Sequence, residues 1–543
     1  MQSRCSHYVL MAFLILIAYL PTFTGDFIFD DQTLIKGNPY ITQLQSIASY
    51  LAQEDGIADP RDKGRFHTGY YRPLINFTYF IDYKLWGMKA AGFRTTNLIL
   101  HLITCLILYE LLRHLTGYSP GSFWAVLLFA LHPVQTEAVS MIVSRNNILT
   151  TLFMLISLYG YLLWWTKKDS VLLAVSLAGF VGAVFSKEFG LMTLPMLFLY
   201  QRILVQEKNP EREMKSYFPY LIIIGVYIIL RNRVVSAPFI IPDDIWTRLT
   251  FVPYLIIYNL KIIFLPYQLH SFSVHYPPSL LSAAVLLYSS VFLCLAALCF
   301  SLRKEKLFIF SVISFMVALW PVLNLIAKVS ISLVAMRWLY LPMSFVTVGI
   351  AWLLSKTREG HWRIVLMILT AVTVYFTAYS YILNSHLWHD EKTFLKQEVL
   401  HFDNDLYAGD FAEMMLKEKQ YPAAEKYFRL ALEKYPHQAR NYINYGALLI
   451  ETKRYREALF ILDGARLLPM IHKDRVDWNN NMGVALMAGG NIASAHEYLR
   501  HALALDPQNP LLHCNMAALL VSEGRAVEAA HHIKIAEYLK SGE

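Results

Sequence analysis

The sequence predicts an all-α chain in two parts: a polytopic bundle of membrane-crossing helices, then a helical-repeat solenoid. Three observations carry this. Apolar blocks of membrane-spanning length recur between Tyr8 and Leu383. The composition turns soluble from Trp388 onward. A period of about 34 residues then takes over. Across all 543 residues, 56% are hydrophobic and 16% charged, with a mean hydropathy of +0.38. A soluble chain carries roughly 25% charged residues. The expected division is a membrane domain over 1–386, a linker over 387–406 and repeats over 407–543.

Apolar stretches of about 20 residues are needed to cross a bilayer as helix. About eleven such blocks are read: 8–24, 95–115, 121–139, 147–166, 170–186, 189–205, 216–234, 281–302, 306–327, 333–354 and 363–383. The first follows Arg4 and has no small-residue cleavage site after it, so it is expected to be a retained span rather than a signal peptide. Leu249–Leu265 is apolar but contains Pro253 and Lys261. It is read as re-entrant or interfacial, since irregular backbone at membrane depth is tolerated where protein buries it.

The formal charge of +8 does not point to nucleic acid. Lys and Arg fall in short connections: Arg113-His114, Lys167-Lys168, Arg202 to Lys215, Arg303 to Lys306, and Lys356 to Arg363. Basic loops stay cytoplasmic. On that rule the N-terminus is cytoplasmic. The loops holding Asp30, Glu137, Lys187, Arg231 and Arg337 are then outside, and so is the C-terminal part. The five cysteines form neither a disulfide framework nor a metal-ligand pattern.

The outer side collects the chemistry. Asp30 and Asp31 follow the first span, where anionic headgroups would repel carboxylates that served only as an anchor. Tyr71-Arg72-Pro73-Leu74 lies late in the first outer loop. His132-Pro133 and Glu137 close the third block, with Ser144-Arg145-Asn146-Asn147 beyond. Ser186-Lys187-Glu188 joins two spans, and Arg337 precedes Trp338-Leu339-Tyr340. Ionisable groups near membrane depth are expensive and mark function. Arginine pairs with phosphate through two parallel bonds, and a carboxylate accepts a proton from an attacking hydroxyl. The set suits an anionic lipid-linked donor with its phosphate at the outer face. The bland readings are a solvated loop carboxylate for Asp30, mutual neutralisation of Lys187 and Glu188, and a helix cap for His132.

The C-terminal period is explicit. Small residues at Ala412, Gly446, Gly483 and Ala517 are separated by 34, 37 and 34 positions, and Ala424, Ala458, Ala495 and Ala529 repeat the same spacings. Pro436, Pro469 and Pro507 close successive units. Small side chains let the two helices of a unit approach, and proline cannot continue the second. This describes about four tetratricopeptide repeats, with the three extra residues around Ile471–Arg475. Such stacks hold peptides or partner proteins.

In these motifs the chain resembles the transmembrane O-mannosyltransferases that carry tetratricopeptide repeats, and their bacterial homologues. The resemblance runs through Phe27-Ile28-Phe29-Asp30-Asp31 with Asn38-Pro39, Tyr71-Arg72-Pro73-Leu74, Gly92 to Asn97 with His101, Ala130-Leu131-His132-Pro133 with Glu137 and Ser144-Arg145, Phe185-Ser186-Lys187-Glu188, Leu339-Tyr340-Leu341-Pro342, and Trp388-His389-Asp390-Glu391. Two positions depart from the family. Met336 stands where an acidic residue often precedes the arginine, which weakens the expectation of a Glu–Arg pair there. Arg94 replaces a common histidine, with an effect expected on packing alone.

The resemblance implies a membrane glycosyltransferase of the GT-C type with a polyprenyl-phosphate sugar as donor. Asp30, Asp31 and Glu137 are the implied catalytic carboxylates, one of the two aspartates acting as base and the other holding the loop. Arg72, His132, Arg145, Lys187, Glu188 and Arg337 form the implied donor-phosphate set. The family's eukaryotic members transfer mannose to serine or threonine of secreted proteins. Asp30, Asp31 and Glu137 could ligate Mg²⁺ or Mn²⁺ through oxygen, but they lack a fixed metal-ligand spacing. The expected partners are the lipid-linked sugar, an acceptor protein or peptide on the repeats, and the membrane, with no nucleic acid. The expected location is a bacterial inner membrane with periplasmic repeats, or equivalently an endoplasmic reticulum membrane with lumenal repeats. A membrane-anchored scaffold is the competing class, but an anchor needs one span and no charges gathered on one face. A transporter would show internal repeats among its spans.

Overall fold

The computed structural model describes residues 2–36, 38–42, 49, 51–52, 69–206, 210–235, 245–269, 271–273, 281–323, 333–402 and 404–541. The end of the block 306–327 and part of the basic stretch Arg202–Lys215 lie outside them. The chain divides into two compact units, the first ending at Phe394 and the second starting at Leu395.

The first unit is helical. Its helices are α1 (Gln2–Tyr19), α2 (Pro73–Trp86), α3 (Ala90–Thr116), α4 (Ser119–Leu131), α5 (Gln135–Ser140), α6 (Arg145–Lys167), α7 (Ser170–Ser186), α8 (Thr193–Leu199), α9 (Pro210–Val234), α10 (Ile245–Phe264), α11 (Ala283–Ser301), α12 (Lys306–Leu319), α13 (Tyr340–Ser355) and α14 (Trp362–His386). Among the described residues, nine helical stretches are long and apolar enough to cross a membrane. They coincide with nine of the eleven expected blocks. The other two, 121–139 and 170–186, form shorter apolar helices, as does Leu249–Phe264. The third block was expected to run to residue 139. Its helix instead stops at Leu131, because Pro133 removes a backbone donor and restrains His132 to extended backbone. The chain is a multi-pass membrane protein.

Burial separates central from peripheral helices. Ile142–Lys167 is buried along 72% of its apolar stretch and Met336–Ser355 along 67%, against 6% for Ala283–Ser301. Lipid gives no hydrophobic drive between helices, so close approach and interior polar bonds hold them together. α6 and α7 show this. A Cβ on Gly179 would lie 2.8 Å from the Ser157 nitrogen, and one on Gly160 3.1 Å from the Ser176 nitrogen. Further polar ties are buried. His101 Nδ1 lies 2.7 Å from the Tyr340 hydroxyl, and Asn384 Nδ2 donates to the Ala18 carbonyl at 2.9 Å. Trp388 is buried and donates to Thr136 Oγ1 at 3.0 Å. Residues 387–394, read from sequence as the start of a linker, thus belong to the first unit. A two-residue antiparallel pair, Phe272 with Ala335 and Ser273 with Val334, fixes the approach to Arg337.

The second unit consists of four helix pairs: α15 (Ala408–Lys417) with α16 (Tyr421–Lys434), α17 (Ala439–Glu451) with α18 (Tyr455–Gly464), α19 (His472–Ala488) with α20 (Ile492–Leu505), and α21 (Pro510–Ser522) with α22 (Ala526–Ser541). The small residues sit at the pair contacts. A Cβ on Gly446 would meet Leu462 Cδ2 at 2.5 Å, and one on Gly483 Leu499 Cγ at 2.6 Å. The three extra residues fall in the connection to α19 and its first turn.

Candidate active site

The acidic pair lies past α1, where a short 3-10 turn over Leu20–Thr24 releases the chain into extended backbone. Phe29 has φ +46°, an unusual conformation for a side chain of that size. Asp30 and Asp31 follow as successive helical residues, so their side chains face different surroundings. Asp31 is fully buried. Its carboxylate accepts N–H bonds from Val143 at 2.9 Å, Ile142 at 3.4 Å and Ile28 at 3.5 Å. It therefore clamps the first loop to the turn that launches α6. Burial pushes its carboxyl up to about 6, against the opposing pull of the Arg94 charge and the three N–H groups. Asp30, one residue earlier, is half-buried.

Four residues beyond Val143, Asn147 continues the same turn into α6. Its Oδ1 accepts from Lys187 Nζ at 2.7 Å, and the ammonium lies 4.2 Å over the Phe189 ring. Lys187 is buried at the junction after α7. Burial, and next the charge of Arg72, hold its ammonium well below the ordinary lysine value; Arg337 adds to this, while Glu188 and Glu137 oppose it. These five groups thus form one electrostatic cluster. Arg72 caps the start of α2, where Pro73 fixes the first turn. It binds Glu188 Oε2 through Nη2 at 3.0 Å and Nε at 3.2 Å, and stacks on Tyr70 at 4.2 Å. Glu188 Oε1 accepts from the Tyr71 N–H at 3.3 Å. Glu137 on α5 is fully buried and pairs with the Arg337 guanidinium, and it also accepts the Arg337 backbone N–H at 2.7 Å. Met336 had weakened the expectation of a Glu–Arg pair. The structure supplies the carboxylate from 200 residues upstream instead.

Arg72, Lys187 and Arg337 thus share one cluster with Glu137 and Glu188.

Arg145 and His132 lie elsewhere. Arg145 is fully buried and paired with Asp82 of α2, and it donates to Asn97 Oδ1 at 2.7 Å, the Phe93 carbonyl at 3.0 Å and Thr78 Oγ1 at 3.3 Å. His132 donates from Nε2 to the Ile263 carbonyl at 2.7 Å and accepts the Val134 N–H at Nδ1, 3.2 Å away. Both ring nitrogens are engaged by backbone. Arg94 exceeds the packing role expected of it. Its guanidinium donates to the carbonyls of Ser140 at 3.0 Å, Thr22 at 3.1 Å and Trp388 at 3.4 Å, and to that of Asp26. Sequence reasoning passed over Asp82, Asn97 and Asn147 as positioning residues. Asn97 and Asn147 stand inside quoted motifs, and Asp82 is the one acidic residue of α2. Among the described residues, no three His, Cys, Asp or Glu side chains come together in a way that could hold a metal ion.

Residues 71–234 match the family described as dolichyl-phosphate-mannose-protein mannosyltransferase, and residues 415–468 match a tetratricopeptide repeat family. Over 184 residues the chain is 33% identical to protein O-mannosyl-transferase F38B6.6 of Caenorhabditis elegans, covering 33% of this chain and 26% of that protein. Over 215 residues it is 29% identical to protein O-mannosyl-transferase TMTC4 of Homo sapiens, covering 36% and 29%. Over these stretches the chain is homologous to the protein O-mannosyltransferases. It spans about a quarter of the length of the curated O-mannosyltransferases it matches. Arg72, Glu137, Lys187 and Glu188 fall within the matched mannosyltransferase segment, while Asp30, Asp31 and Arg337 fall outside it. Among solved structures, yeast Tom70 aligns over 81% of this chain and 96% of that one at 12% identity, with a TM-score of 0.22, too low to argue from.

Proposed function

We propose that the protein transfers a sugar, mannose or a similar hexose, from a polyprenyl phosphate to serine or threonine hydroxyls of proteins. The reaction takes place on the outer or lumenal side, and the repeats hold the acceptor. The observation that carries this is the gathering of Arg72, Lys187 and Arg337 in one cluster, tied through Asn147 to the same short stretch that clamps Asp31. Asp31 and Lys187 are both tied to the short stretch 142–147. A lipid phosphate and an attacking hydroxyl would be needed at just such neighbouring places.

The roles divide by environment. Asp31 positions the loop, its oxygens being committed to backbone N–H groups. Asp30 is the general base. It takes the proton of the acceptor hydroxyl as that oxygen bonds to the anomeric carbon. The bond from that carbon to the phosphate oxygen breaks, and polyprenyl phosphate leaves with one more negative charge. Arg72, Lys187 and Arg337 meet that charge. Preset donors at the place where charge develops are worth more in a dry site than in water. Glu137 and Glu188 hold the two arginines in place. Arg145 and His132 fix α6 and the break after α4.

The test is reconstitution in lipid vesicles with polyprenyl-phosphate mannose and an unstructured peptide containing serine and threonine. Replacement of a positioned base costs about 10²–10⁴ in rate. Asp30→Asn should therefore lose at least a hundredfold in kcat while keeping its Tm. Wild-type rates in that variant would remove Asp30 from the chemistry. No transfer by the wild-type protein from any polyprenyl-phosphate hexose would remove the reading itself.

A further inference from the structure

The motif Trp388-His389-Asp390-Glu391 takes no part in the cluster of Arg72, Lys187 and Arg337. Residues 388–394 instead lie along the run 22–29 that leads into Asp30. The Asp26 N–H donates to the His389 carbonyl at 3.0 Å. Thr24 Oγ1 lies 3.3 Å from His389 Nε2. Arg94 bridges the two runs, donating to the Thr22 and Asp26 carbonyls on one side and to the Trp388 carbonyl on the other. The backbones touch at Gly25, where a Cβ would lie 2.7 Å from the His389 carbonyl oxygen, so only glycine fits. The Asp390 carboxylate accepts the Thr393 N–H at 2.9 Å and the Thr393 hydroxyl at 2.8 Å, which fixes the turn toward Phe394. Phe394 is buried, its ring 5.7 Å from that of Trp388 and 6.0 Å from that of Phe29.

Phe29 is the residue with φ +46°. A bulky side chain stays in that region only where its surroundings over-determine it, and such places cluster at functional sites. Here the surroundings are the Phe394 ring against the side chain, and His389 and Arg94 on the backbone before it. After it, Asp31 is held by the amides of residues 142 and 143. Asp30 stands between the two holds. A general base must lie within hydrogen-bond reach of the proton it takes, and a misplacement of about 1 Å costs up to about a hundredfold in rate. We infer that residues 388–394 are a strut that fixes where the Asp30 carboxylate stands, with Phe394 and the His389 carbonyl as positioning groups for the proton transfer. The purpose of the strut rests on the reading of Asp30 as base, while the hold itself is tested without any reaction.

Hydrogen exchange of the full chain in lipid discs reads the hold directly. Phe394→Ala and Gly25→Ala should each speed exchange across residues 26–32 by about tenfold, the scale of one lost hydrogen bond, and leave α6 and α13 unchanged. The kinetic arm combines each variant with Asp30→Asn, in vesicles with polyprenyl-phosphate mannose and a peptide containing serine and threonine. Alone, each should lower kcat by about ten- to a hundredfold with an unchanged Kd for the donor. In the Asp30→Asn protein neither should cost anything further, because the group that they position is gone. Losses that multiply would make residues 388–394 a support for the fold at large and overturn the inference. So would unchanged exchange across residues 26–32 in both variants. Loosened exchange there, in a protein whose wild type transfers no sugar, leaves the strut standing and sinks the proposed reaction.

Discussion

Adjacent aspartates have unequal surroundings because one residue of helical backbone turns them apart. Asp31 is sealed in and serves three amides; Asp30 stays half-buried beside it. The inequality has a pH signature. The folded carboxyl of Asp31 lies at about 6, above its ordinary value of 3.8, so the folded protein binds the proton more tightly than the unfolded chain does. Its stabilising contribution is complete below about 4 and is lost as pH rises through 6, a swing of about 3 kcal/mol. Thermal melts in detergent should show Tm falling between about pH 4 and 6 in the wild-type protein. Asp31→Asn, which cannot titrate, should flatten that step. An identical slope in the variant would assign it to another group. The sequence singled out the pair by its position at a membrane edge. It could not tell the two apart, because the distinction depends on the amides of residues 142 and 143, more than a hundred positions away.

At the scale of elements, buried ion pairs join helices that sequence reading treats separately. Arg145 at the start of α6 is tied to Asp82 on α2 and Asn97 on α3. Removing one member of such a pair leaves an uncompensated charge and costs about 3–5 kcal/mol. Asp82→Ala and Arg145→Ala should each lower stability by that order. The double variant should be no worse than the singles, since the coupling is shared. Denaturation of the three proteins checks this; strictly additive losses would mean that the pair does not act as a unit. The helices themselves were legible because apolar length and basic loops suffice to outline them. The resemblance implies Arg145 as a phosphate ligand, but a motif records that an arginine is required without saying which way it faces, and here it faces Asp82. The interruption after Leu131 is marked in the sequence by His132-Pro133.

At the scale of the molecule, the repeat spacing was plain because each unit must bury the same small residues against its neighbours. The boundary between the units was less so. Trp388 and the residues up to Phe394 read as polar linker but pack with the first unit. A truncation that tests the repeats therefore has to end after Phe394 and not at Leu383. Such a protein should bind a polyprenyl-phosphate sugar with unchanged Kd and lose acceptor use, seen as a KM for peptide raised at least tenfold. Equal loss of both would show that the repeats do more than hold the acceptor. The pairing of Glu137 with Arg337 has a further consequence for synthesis. The two partners leave the ribosome 200 residues apart, and Arg94 waits longer still for the Trp388 carbonyl. A chain halted anywhere between carries the Glu137 carboxylate without its Arg337 partner and the Arg94 guanidinium short of an acceptor. Membrane insertion can place the early helices, but Arg337 arrives only with the penultimate crossing, so the tie between α5 and the approach to α13 forms late.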